Sequence, residues 1–211
     1  KRFEAMEIPT RYEAEALLAE GARRNPGPWV DHSHNVALAA QAIAEHIPGM
    51  NAGAAYILGL LHDIGRQEGW TNMRHVLDGY RFMDNVGHTD SARICLTHSF
   101  AIQHVHAHAG QWDCTEEEVQ FLADRLAQVT YTDFDRLIQL CDALALPSGF
   151  CLLEKRLVDV ALRHGINEYT LPRWKATFDL QAYFDELIGR SIYAVLPGVI
   201  ENTFGFKANN T

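Results

Sequence analysis

The sequence predicts an all-α fold, and three observations support this prediction. Apolar residues recur with helical spacing along most of the 211 residues. Runs of alternating β-branched residues bounded by hairpin turns, which would indicate strands, are lacking. The hydrophobic fraction of 47% and the charged fraction of 21% are ordinary for a globular protein, so the chain can bury a core without disulfides or a structural metal.

Glycine, proline and capping residues divide the chain into separate helices. A Pro-Gly-Pro stretch at 26–28 separates the first two helices, and a Pro-Gly pair at 48–49 ends the second. Gly65 can cap the third helix, and Thr115 with Glu118 forms a capping-box pattern before an apolar run. The predicted helices span residues 11–24, 31–47, 52–64, 75–86, 90–99, 116–129, 133–146, 150–164 and 179–195.

A Pro-Ser-Gly break at 147–149 is the one seam that the sequence suggests. It ends the helix at 133–146, and the sequence lacks internal repeats, low-complexity tracts and long linkers. We therefore expect one domain over residues 1–211, with a core of helices at about 29–146 and a C-terminal helical extension at about 150–211.

The net charge of −9 argues against a surface that coats nucleic acid, because such surfaces need clustered lysine and arginine. A small phosphorylated ligand stays compatible with this charge, since it needs only local positive charge or a metal. No apolar run approaches the length of a membrane span, and the charged start at 1–4 is unlike a signal peptide. We expect a cytoplasmic protein without a membrane partner, and the sequence leaves a homo-oligomer open.

The cysteines indicate a reducing compartment. None of the four forms a C-x-x-C pair, and three of them lie among apolar residues, so buried free thiols are the favoured interpretation. They are Cys95, Cys114, Cys141 and Cys151.

An adjacent histidine and aspartate, His62 and Asp63, emerge from a segment that is otherwise apolar almost all round. The apolar residues of 54–64 leave no wide polar face, so this helix should be buried. Burial of an ionised aspartate is unfavourable unless the carboxylate is paired, hydrogen-bonded or bound to a metal. Imidazole and carboxylate are both common metal ligands, so the pair directs attention to other ligands in the chain.

His32 and His34 fall on different faces of the helix at 31–47. The apolar stripe through Val36 continues back to His32, four residues earlier, whereas His34 lies on a more polar face. His32 is therefore the better candidate for an interior site. Taken alone, it would be interpreted as a hydrogen-bonded core histidine.

Three more polar residues point inward by the same reasoning. His75 shares an apolar face with Gly79, whose missing side chain would let another helix or a ligand approach. His98 closes the helix at 90–99 on its apolar face. Asp142 lies in an otherwise apolar helix and needs a partner as much as Asp63 does.

A metal centre explains these inward-pointing groups more economically than separate hydrogen-bonded polar residues. Their number exceeds what one zinc ion usually takes from a protein. It suits two octahedral ions, Fe or Mn in the first place, that share a bridging carboxylate; Mg, Ni, Co and Zn stay open. The candidate ligands are His32, His62, Asp63, His75, His98 and Asp142.

This pattern resembles the HD-domain superfamily of metal-dependent phosphohydrolases. His32 precedes a Val-Ala pair by four residues, a His-Asp-Ile-Gly-Arg stretch follows at 62–66, and Asp142 lies far downstream, as in the H…HD…D signature of the family. His75 and His98 resemble the extended signature in which a second metal is bound. The resemblance spans residues 29–146, approximately.

The resemblance implies a helical bundle with the metals at its centre, and the sequence pattern adds the C-terminal helices to it. The first ion would be held by His32, His62, Asp63 and Asp142. The second ion would share Asp63 with the first and would also bind His75 and His98.

The implied activity is hydrolysis of a nucleotide-like or other small phosphorylated metabolite through a metal-bound hydroxide. Asp63 would act as the catalytic bridging ligand. Arg66 is a candidate phosphate contact, although a cation at a helix C-terminus is an equally good interpretation. Arg74 and Arg81 are weaker candidates for the same role.

Two other functions stay open. Some HD-domain proteins with a similar ligand set are di-iron oxygenases that cleave C–C or C–P bonds with O₂. A non-catalytic binding module ranks last, since it would be expected to have a degenerate ligand set.

Two groups of residues outside this set stay ambiguous. The alternating histidines of 104–108 could add a ligand, although a partly exposed loop fits better because 101–110 lacks a clean apolar stripe. Core packing is favoured over stacking on a substrate for the aromatic residues Tyr56, Trp70, Tyr80 and Trp174.

Overall fold

Ten α-helices occupy most of residues 6–207, the part of the chain that this computed structural model describes. This confirms the predicted all-α fold. The charged start at 1–4, expected to be unlike a signal peptide, lies outside the described residues. The helices are α1 (Arg11–Arg24), α2 (Trp29–Ala44), α3 (Ala52–Leu61), α4 (Arg74–Asn85), α5 (Thr89–Thr97), α6 (Glu116–Gln128), α7 (Asp133–Leu144), α8 (Leu153–His164), α9 (Thr170–Ile188) and α10 (Val199–Phe204).

Side-chain caps begin several of these helices where the sequence predicts them. Thr115 and Glu118 form a reciprocal capping box at the start of α6. The same arrangement begins α1 at Thr10 and Glu13. The Asn51 side chain accepts a hydrogen bond from the backbone N–H of Ala54 and begins α3.

The third predicted helix, 52–64, is too long at its C-terminal end. Helix α3 ends at Leu61, and a 3-10 helix at Ile64–Glu68 follows. His62 and Asp63 therefore lie at the junction of the two helices. A Cβ atom on Gly65 would collide with the backbone of His75 and of Gly79 in α4, so the chain after Asp63 needs glycine to pack this closely.

The last predicted helix, 179–195, is wrong at both ends. Helix α9 begins at Thr170, and Pro172 fits its first turn because the N–H that proline lacks needs no partner within the helix there. Gly189, in the left-handed conformation at φ 69°, ends the helix. A 3-10 helix at Ile192–Val195 and then α10 complete the described chain.

The break at 147–149 is a tight hairpin. Strand β1 (Ala145–Leu146) pairs antiparallel with β2 (Gly149–Phe150), and Ala145 lies opposite Phe150. The predicted helix 133–146 accordingly ends at Leu144. Strands of two residues are too short to show an alternating pattern, so they leave no signal in the sequence.

The core joins the C-terminal helices to the rest of the fold. Leu153 and Phe184, from α8 and α9, belong to the same buried cluster as Val36 of α2 and Leu140 of α7. Helix α3 lies at the centre, and all of its residues from Ala54 to Leu61 are buried, as the sequence predicted. Within residues 6–207, no helix is long and apolar enough to cross a bilayer.

The cysteines are free thiols. Burial raises the pKa of Cys95 and of Cys141 well above the ordinary thiol range, so both stay protonated at neutral pH. Cys151 is also buried and Cys114 is half-buried.

Candidate metal centre

The fold brings the six predicted ligands together beside the C-terminal end of α3. All except Asp142 are almost fully buried, and the Asp142 side chain is 29% exposed. They come from five places in the fold. His32 lies in the first turn of α2, His62 and Asp63 just after α3, His75 in the first turn of α4, His98 just after α5, and Asp142 near the end of α7.

One half of the cluster is built around the carboxylate of Asp142. Its Oδ1 atom lies 2.9 Å from Nε2 of His32 and 3.8 Å from Nε2 of His62. These three side chains offer ligand atoms within 4.8 Å of one another. They form one candidate metal-binding group.

The other half is built around Asp63. Its Oδ1 atom lies 3.2 Å from Nε2 of His75 and 3.5 Å from Nε2 of His98, and the two Nε2 atoms lie 3.4 Å apart. Oδ2 of Asp63 lies 3.9 Å from Nε2 of His62, so this carboxylate connects the two halves. His62, Asp63 and His98 form the second candidate group of ligand atoms within 4.8 Å.

Backbone carbonyls hold every imidazole of the cluster in one orientation. In each ring Nδ1 faces a carbonyl oxygen, which can only accept, so Nδ1 carries the proton of the neutral ring and Nε2 keeps its lone pair. This arrangement is typical of metal-bound histidine. For His32, His62, His75 and His98 the acceptors are the carbonyls of Ala145, Gly59, Asn72 and Cys95, respectively.

The donor set fits divalent metal ions. Among the described residues, the buried Nε2 atom of His62 has no hydrogen-bond partner. The other Nε2 atoms face carboxylates or one another, and two acceptors repel unless a cation lies between them. Two atoms bound to one ion at about 2.1 Å lie roughly 3.0–3.4 Å apart, a spacing close to that of Asp63, His75 and His98.

The pKa values of two histidines favour the neutral form that binds metal. Burial lowers the pKa of His62 to about 4 and, with the positive charge of Arg66 adding to it, the pKa of His75 to about 3. Burial would lower the pKa of His98 as well, but the hydrogen bond to Asp63 and the negative charges of Asp63 and Asp142 together raise it. A proton therefore competes with a metal ion for Nε2 of His98.

Both carboxylates stay ionised at neutral pH. Burial alone would raise the pKa of Asp63, but the charge of Arg66 and the neighbouring histidines hold it well below its usual range. Burial would raise the pKa of Asp142 too, but the contact with His32 and the nearby His62 and His98 together lower it. The cluster thus offers two anionic and four imidazole ligands.

Arg66 is part of the cluster. Its Nε atom donates to Oδ2 of Asp63 at 2.5 Å, and its side chain is 31% exposed and lines the adjoining cavity. Arg74 and Arg81 instead pair with Glu118 and line a separate surface depression. The geometry therefore favours Arg66 over the other two as a contact for a ligand at the cluster.

A cavity of about 550 Å³ opens over the cluster, a size suited to a small-molecule ligand. Five of the six cluster residues line it, and Trp70 lies at its edge with 88% of its surface exposed. Core packing was thus the wrong expectation for Trp70, which lies on the loop after Gly69 (φ 138°). Tyr56 is buried as expected, and Tyr80 and Trp174 pack against core clusters.

The histidines of 104–108 do not join the cluster. His104 and His106 are exposed, whereas His108 is buried against Phe100 and Trp112 and lines the cavity. The segment is irregular and partly exposed, in line with the preferred interpretation.

The wall of the cavity that α8 and α9 form has no signal in the sequence. Arg156, Arg163 and Arg173 line this wall. In the sequence they belong to ordinary charged helix faces, and such faces have the same pattern whether they meet solvent or a cavity.

Comparison with known families gives one finding. A family model described as "HD domain" matches residues 29–145. No significant match to the chain was found among curated proteins or solved structures.

Proposed function

Because this chain belongs to the HD-domain family, we propose that it is a metal-dependent phosphohydrolase that acts on a small, nucleotide-like or otherwise phosphorylated metabolite. The single observation that carries the proposal is the convergence of four Nε2 atoms and two carboxylates at the base of a cavity of ligand size. The family resemblance supports the reaction class, and the cavity supports a small substrate.

We propose that two divalent transition metals, Fe or Mn, bind here. His32, His62, Asp63 and Asp142 would hold one ion, and Asp63, His75 and His98 the other. The position of Asp63 between the two halves supports its role as the bridge. The ligand atoms suit these ions because imidazole nitrogen and carboxylate oxygen both bind borderline metals.

When bound, such ions activate water as a nucleophile and neutralise charge on phosphoryl oxygens. The protein side chains contribute positioning. Arg66 gives one N–H to Asp63 and keeps others that can donate to a phosphoryl oxygen in the cavity. Asp63 in turn holds the guanidinium in place, so the same carboxylate orients Arg66 and joins both halves of the cluster.

The test compares D63A with D31A. Asp31 is exposed in the first turn of α2, next to His32, so D31A removes a nearby carboxylate outside the cluster. Purified wild type and D31A should contain the same metals and release phosphate from a panel of nucleotides and other phosphate esters under anaerobic conditions with Mn²⁺. D63A should lose both ions and all activity.

Two results would contradict the proposal. Full metal content in D63A would exclude Asp63 as the bridge. Consumption of O₂ by a mixed-valent iron form, without phosphate release from any ester, would identify an oxygenase in place of a hydrolase.

A further inference from the structure

A second group of positive charges lines the cavity, and it comes from helices that follow the HD motif in the chain. Helices α8 and α9 contribute Arg156, Arg163 and Arg173 to its lining, together with a single carboxylate, Asp159. This local positive surplus contrasts with the net charge of −9 for the whole chain. It therefore belongs to this wall of the cavity in particular.

Asp159 neutralises only part of this charge. Its Oδ2 atom accepts from Arg163 at 2.9 Å and from Arg156 at 3.3 Å. Arg173 forms no salt bridge with any residue from 6 to 207, and its Nη1 atom is buried without a hydrogen-bond partner. The buried Nε atom of Arg156 also lacks one among these residues.

Burial of a guanidinium group without a salt bridge, as at Arg173, is unfavourable unless an anion binds to it. Burial lowers the pKa of Arg173, which reflects the lost hydration of its charge. The positive charge of Arg173 also acts on His108, which lines the same cavity. Burial is the main cause that lowers the pKa of His108, and Arg173 lowers it further. Phosphate and carboxylate groups are the anions that the planar fork of arginine binds best.

We propose that Arg173, with Arg156 of α8, forms an anion subsite in this cavity that binds a second anionic group of the substrate, a phosphate or a carboxylate. The scissile phosphoryl group would lie at the metal cluster. The identity of the ligand as a substrate rests on the function proposed above, whereas anion binding at Arg173 does not.

The first experiment measures binding of inorganic phosphate to the metal-free protein by calorimetry. We expect R173Q to weaken binding by about tenfold, because it removes a charged hydrogen-bonding group, and R173K to retain part of the affinity. The matched control is K175Q, which removes a positive charge on the same helix at an exposed residue paired with Asp179. K175Q should bind phosphate as the wild type does.

Equal phosphate affinity in R173Q and wild type would overturn the subsite. Circular dichroism and thermal unfolding establish that R173Q is folded. If it is not, R156Q and R173K take its place, and unchanged affinity in both would be equally decisive.

The second experiment uses Mn²⁺-loaded protein and three esters: phenyl phosphate, 4-carboxyphenyl phosphate and 1,4-phenylene bisphosphate. R173Q should raise KM by about tenfold for the esters with a second anion and by less than about twofold for phenyl phosphate. Of 4-carboxyphenyl phosphate and 1,4-phenylene bisphosphate, the ester whose KM rises more in R173Q identifies the anion that the subsite prefers.

The failures of the two proposals are distinguishable. If no ester in the panel releases phosphate but phosphate binding depends on Arg173, the subsite stands and the hydrolase function fails. If the esters are hydrolysed with the same KM by R173Q and wild type, the function stands and the subsite is wrong.

Discussion

The histidines of the cluster are oriented by the backbone and not by one another. For His62, His75 and His98 the Nδ1 atom faces the carbonyl three residues earlier in the chain. For His32 it faces the Ala145 carbonyl of β1, so each Nε2 atom points inward before any ligand arrives. Such orientation lowers the entropy lost when a metal binds, and it fixes the tautomer that binds. At this scale the sequence pattern was informative, because helical position alone separated His32 from His34.

Replacement of these two histidines should have unequal effects. H32A should lose metal from the half of the cluster built around Asp142, with affinity reduced by at least about tenfold, because His32 Nε2 lies 2.9 Å from Asp142. H34A should retain wild-type metal content, since His34 lies outside the candidate groups. Elemental analysis and metal titration measure both. Equal losses would show that the choice of helical face was wrong.

Glycine governs how the elements that carry the ligands pack. Gly65 lies against the backbone of α4 at His75 and Gly79, and a Cβ atom on Gly79 would lie 3.2 Å from the Cys95 side chain of α5. The sequence predicted that Gly79 lets another element approach His75, and the structure confirms it. Glycine at both positions therefore brings the HD segment, α4 and α5 close enough for Asp63, His75 and His98 to meet.

The variant G65A should separate these elements. The added methyl group has no space beside the His75 carbonyl, so we expect the free energy of unfolding to fall by about 3 kcal/mol, at the upper end of overpacking effects. Metal affinity should fall as well, because α4 carries His75. The control G53A, in the first turn of α3, should change stability by less than about 1 kcal/mol. Urea unfolding of both variants measures the difference, and wild-type stability in G65A would contradict the packing argument.

Across the whole molecule, the candidate metal centre joins segments that are far apart in the chain. Its ligands span positions 32 to 142 and lie on or next to five helices. Because an unfolded chain does not present these six groups together, metal that binds here stabilises the folded state by linkage. The C-terminal helices are joined to the same core through Leu153 and Phe184.

Removal and addition of metal should therefore change thermal stability. Free Mn²⁺ at about 100 times its Kd should stabilise metal-free protein by about 2.7 kcal/mol for each ion bound, or roughly 5–10 °C in Tm per ion for a chain of this length. Scanning calorimetry before and after chelation measures the shift. D31A should respond as the wild type does, whereas D63A should not. An equal shift in D63A would indicate binding of Mn²⁺ elsewhere.

The sequence by itself determined the fold class, the buried position of α3 and the set of candidate ligands. These features are local, because an apolar stripe and a polar residue on it are visible within a few helical turns. Only the tertiary structure decided that His108, Arg156 and Arg173 face the cavity and that Trp70 lies at its edge. A charged helix face has the same sequence pattern in solvent and in a cavity, and what lies opposite it is set by the packing of helices distant in the chain.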